Sequence, residues 1–117
     1  MSEIEPEVVT VLEAVPEFAA RYLALVEEAD GDPGAAAALT ELADYVAEVL
    51  ASLERQRAVL VRCSLAIDTV VATGPDAEEL VAWAFLDSLS PDHLRVLVPW
   101  LGPRTKALVR ELDPGPA

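Results

Sequence analysis

One cysteine and one histidine occur in 117 residues. A lone thiol closes no internal disulfide, whereas small secreted scaffolds carry several cysteines. Cys63 and His93 together cannot complete a tetrahedral zinc site, and a di-iron bundle needs two Glu-x-x-His pairs where this chain has one imidazole. No metal and no cofactor are expected. The five glycines are scattered, so no phosphate-cradling loop and no Gly-x-Ser-x-Gly elbow can be drawn. A nucleophile, a base and an orienting acid within reach of one another are also missing, and no enzyme activity is expected. Long hydrophobic runs are missing too. The most apolar stretch, Ala58 to Ala72, has 15 residues and contains Arg62 and Asp68, too short and too charged to cross about 30 Å of hydrocarbon.

Positive charge is scarce. Eight Lys and Arg face 21 Asp and Glu, for a net charge of −13. Nucleic-acid phosphates and anionic membranes both call for clustered bases, so neither is an expected partner. The imbalance is steepest in residues 1–34, with nine acids and one base, Arg21. The opening "MSEIEPE" is acidic where a secretory leader would be basic, and a cytoplasmic location is expected.

What is abundant is alanine, leucine and glutamate, all strong helix formers. Prolines and glycines punctuate segments whose apolar spacing is helical rather than alternating. Pro6 opens a first helix with Val8, Val9, Leu12 and Val15 as its stripe, and Pro16 breaks or kinks it. Phe18, Tyr22, Leu25 and Val26 form the next face, ended by "GDPG".

From Ala35 to Thr73 no proline or glycine occurs for 39 residues. Leu39, Leu42, Val46, Val49, Leu53, Gln56, Leu60, Cys63, Ile67 and Val70 follow one another in steps of three and four, and nine of these ten are apolar or cysteine. The run is either one helix of about 55 Å or two helices interrupted near "LERQR". One long helix, bent at Gln56, is the favoured reading. Cys63 falls on its apolar seam, where a thiol is inert. Arg55 and Arg57 are expected to line the flank and pair with acids of the N-terminal arm. Asp68 is an oddity in so apolar a helix, expected to pair with Arg62 or a C-terminal base.

Gly74 and Pro75 end the run, and Asp76 with Glu79 matches a capping box for a mostly buried helix containing Trp83. Ser90 caps the next helix, Pro91 takes its first position and Pro99 kinks or ends it. Gly102 suits a left-handed C-terminal position. Pro103 opens the last helix, whose Arg104, Lys106 and Arg110 read as complements of the acidic arm. Trp100 sits in the rigid turn "VPWLGP".

Phe85, Leu86 and Leu89 end one helix, Pro99 lies in the next, and Leu101, Gly102, Pro103 and Thr105 form a Leu-Gly-Pro-x-Thr turn. This arrangement resembles small uncharacterised helical proteins of high-GC bacteria over about a quarter of the chain. The resemblance implies a helical packing signature and brings no activity with it.

The expected fold is all-α: a single-domain bundle of five or six helices around one long central helix, over residues 1–112, with residues 113–117 a frayed tail. The expected function is that of a non-catalytic acidic protein-binding module, an inhibitor of the immunity-protein or antitoxin kind, which covers a basic partner. Glu3, Glu5, Glu7, Glu13, Glu17, Glu27 and Glu28 are the candidate steering acids, and Trp100 is a candidate anchor. The alternative is a structural homodimer, or scaffold, through the heptad helix.

Overall fold

Proline opens most of the helical segments, because its missing N–H costs nothing in a first turn and its ring presets φ. The computed structural model describes residues 5–112. These form seven α-helices and no strand: α1 (Pro6–Ala14), α2 (Ala19–Ala29), α3 (Ala35–Ala51), α4 (Leu53–Val71), α5 (Pro75–Leu80), α6 (Pro91–Leu97) and α7 (Pro103–Leu112). Pro16 starts a 3₁₀ turn that leads into α2, so the first arm is two helices, as its proline predicts. Ser90 accepts the His93 amide at 3.1 Å and caps α6 as expected. At the start of α5 the cap is Gly74, whose φ of 146° suits glycine. The capping box expected from Asp76 does not form; Asp76 lies in the first turn, where its charge suits the helix dipole.

The long central helix is not continuous. Ser52 (φ −126°, ψ 39°) ends α3, and Gln56 (φ −121°, ψ 24°) is a second non-helical residue inside α4. Beyond them the chain folds back. Tyr45 of α3 stacks obliquely on Phe18 with ring centroids 6.0 Å apart, and Arg62 of α4 donates to Glu17 and to the Ala14 carbonyl. Both residues therefore meet the same turn, whereas a straight helix would hold them about 25 Å apart. Neither glycine nor proline forces the bend. It forms because a hairpin lets both halves of the seam leave water together. Leu39, Leu42, Val46, Val49, Leu60, Cys63, Ile67 and Val70 are all at most 1% exposed. Leu53 and Gln56, at the bend, are half-buried.

The remaining helices close around this hairpin. α1 lies antiparallel to α4: Ala14 meets Arg62 at one end, and Pro6 lies beside Val70 and Thr73 at the other. Between α5 and α6 the backbone widens into a π-helical turn, Val81–Phe85, followed by a 3₁₀ turn, Leu86–Ser88. The hydroxyls of Thr40, on α3, and Ser88 both donate to the Ala84 carbonyl, at 3.0 and 2.8 Å. Phe18 and Phe85, both almost wholly buried, fill the core.

α7 is pinned from α4. Asp68 Oδ1 accepts the Thr105 amide and the Thr105 hydroxyl, both at 2.9 Å. Among the described residues it pairs with neither Arg62 nor a C-terminal base: Arg62 pairs with Glu17, and Asp68 acts as a helix cap supplied across the fold. Gly102 serves this contact. Its φ is not left-handed, contrary to expectation. A Cβ there would lie 2.3 Å from Asp68 Cγ.

Gly102→Ala and Asp68→Ala should each lower stability in urea titrations, by about 1–3 kcal/mol. The double variant should lose less than the sum, because removing the carboxylate removes the clash.

Candidate partner-binding surface

The expected steering acids divide into free and committed groups. Glu3 lies outside the described residues. Glu5, Glu13, Glu27 and Glu28 are exposed, and Glu7 is half-buried. Burial pushes the Tyr22 phenol above its ordinary pKa, with the Asp32 and Glu5 carboxylates adding to the effect. Glu17 is committed: it takes both guanidinium nitrogens of Arg62, one at 2.7 Å. That contact holds its carboxyl down to about 2, from an ordinary 4.5. Arg21 likewise bridges Glu41 at 2.9 Å and Glu48 at 2.6 Å, and lies over the Tyr45 ring.

The other bases do not pair as expected. Among the described residues, Arg55 and Arg57 form no ion pair, and neither do Arg104, Lys106 and Arg110. α7 packs on α4 and on the π-helical turn. Arg57 instead lies over the Trp100 ring, 6.0 Å from its centroid, and Trp100 is half-buried.

Trp83 is the unexpected residue. Its apolar neighbours suggest a core position, yet it is 55% exposed. Leu80 to Leu86 reads "LVAWAFL", seven apolar residues in a row, more than one helix face can bury. The wide π turn carries Val81, Ala84 and Phe85 inward and leaves Trp83 outside. That unbroken run is the signal from which an exposed aromatic could have been anticipated.

Trp83 stands over an open groove of ≈ 360 Å³, lined also by Ala82, Leu86, Asp87, Leu94 and Leu112. Leu112 is 55% exposed as well. The groove is apolar except for Asp87, and Glu79 lies one turn before Trp83 on the same helix. It can receive an apolar side chain from a partner and meet a cation at its rim.

Among the described residues, no three His, Cys, Asp or Glu side chains stand together as metal ligands. His93 is exposed at the start of α6. Cys63 is buried, and that burial pushes its thiol up to about 12. No described helix is long and apolar enough to cross a membrane.

Two measurements follow from this electrostatics. Cys63 should resist an aromatic disulfide reagent at pH 8 in the folded protein and react as soon as denaturant is added. Glu17 has a folded pKa below its unfolded one, so its contribution is complete above 4.5 and lost as pH falls toward 2. The stability gap between the wild type and Glu17→Gln should therefore close across that window; a gap constant with pH would contradict it.

The chain matches no protein-family model, and no curated protein or solved structure matches it significantly.

Proposed function

We propose that this chain is an acidic protein-binding module without catalytic activity, which acts in the cytoplasm by covering a basic site on a partner protein. An inhibitor of the immunity-protein or antitoxin kind works in this way. The observation that carries the reading is a half-exposed tryptophan over an apolar groove, on a chain of net charge −13. Exposed carboxylates, Glu13, Glu27 and Glu28 among them, would speed encounter with a cationic surface. Docking then desolvates Trp83, a residue type enriched among binding hot spots. Charge selects the class of partner, and the groove supplies the residence time. The heptad seam, on which a homodimer would rest, is largely covered within the chain, which favours the groove beside Trp83 as the docking surface of this reading.

Trp83→Ala tests this directly. The protein would be used to capture partners from its native cells at low salt, with elution at high salt. A basic, stoichiometric partner should be retained by the wild type, released by salt and bound at least about 30-fold more weakly by the variant. The fold should be little affected, because Trp83 is already half in water. Retention indifferent to both salt and Trp83 would overturn the proposal.

A further inference from the structure

The α3–α4 bend has no local cause. Ala51, Leu53, Glu54, Arg55 and Gln56 around it are good helix formers, and neither Ser52 nor Gln56 has a positive φ. The seam stays in step across it: Val49, Leu53, Gln56 and Leu60 are spaced four, three and four residues apart. Straightening the bend would therefore give one helix with one apolar face. The bend is also open to water, with a hollow of ≈ 310 Å³ lined by Ala51 to Arg55.

Each side of the bend also has ties of its own. Residues 5–51 hold themselves together through Arg21 with Glu41 and Glu48, and through Phe18 on Tyr45. Residues 53–112 do so through Asp68 with Thr105, and through Arg57 over Trp100. The two halves meet through α1 on α4, Arg62 with Glu17 and the Ala14 carbonyl, Thr40 with the Ala84 carbonyl, and the closed seam. Every contact in this last group can be made equally well between two copies.

From this division we infer that the bend is a hinge, and that by straightening it the chain exchanges α1–α3 with a second copy to form a domain-swapped dimer. Short hinges that end otherwise continuous elements favour such exchange. The opposing force is charge. Each copy brings −13, so repulsion favours the monomer at low salt and fades as salt screens it. The inference is independent of the groove and of any partner that fills it.

The test is Ser52→Ala/Gln56→Leu, which strengthens the helix through the bend and completes the seam. Its dimerisation constant, from light scattering, should exceed that of the wild type on the order of tenfold or more, and should rise with salt. Exchange is distinguished from ordinary association by adding Arg62→Lys and treating mixed light- and heavy-isotope chains with a carbodiimide. The new amine at position 62 then joins the Glu17 carboxylate, and peptide mapping reads whether the two come from one chain or two. Mixed-label peptides in the dimer establish exchange. A dimer carrying only same-label peptides overturns it. Wild-type chain refolded from urea at high concentration and high salt gives a second reading that needs no hinge substitution. Monomer alone in both experiments overturns the inference.

Discussion

The fold depends on closing one apolar seam upon itself. The seam of residues 39–70 is too long to be covered by the short helices around it while straight, and alanine-rich helices gain little from any single contact. Folding back at Ser52 removes both halves from water in one step. The turn at Pro16–Phe18 then has a defined place to dock, because Tyr45 and Arg62 now lie side by side. With few aromatics available, Phe18 and Phe85 fill the space that leucine, valine and alanine leave.

Scarce positive charge is used at junctions. Arg21 joins α2 to α3, Arg62 joins α4 to the turn before α2, and Arg57 covers Trp100. Half-exposed ion pairs of this kind add little stability each, but they fix which surfaces meet. Among the described residues, most acids have no such base to meet. The outer surface is consequently anionic by default, and any partner must tolerate or seek that field.

Much of this was legible in the sequence, and the failures have physical causes. Proline marks where a helix can begin, so Pro6, Pro91 and Pro103 placed their elements well. Three-and-four spacing reports which residues leave water, so the buried positions of the seam, Cys63 included, were readable. The same spacing is silent about whether the covering surface comes from another molecule or from the next helix, and so one long helix bent at Gln56 was favoured over two helices interrupted near "LERQR", which is what forms. Trp83 was misplaced because an ideal helical period was carried through a turn that widens. Asp68 was given an arginine because charge is visible in a sequence, whereas a backbone amide 37 residues away is not.

The Asp68 cap has a further consequence for the groove. Leu112 forms part of the groove wall and belongs to α7, whose first turn is fastened to α4 by one carboxylate oxygen. The wall depends on that fastening together with the burial of Leu108. Local opening of α7 would dissolve the groove without unfolding the hairpin, a sub-global event of the kind that hydrogen exchange resolves. The persistence of the groove is thus tied to the far end of α4, and Asp68, which does not line it, helps to keep its wall in place.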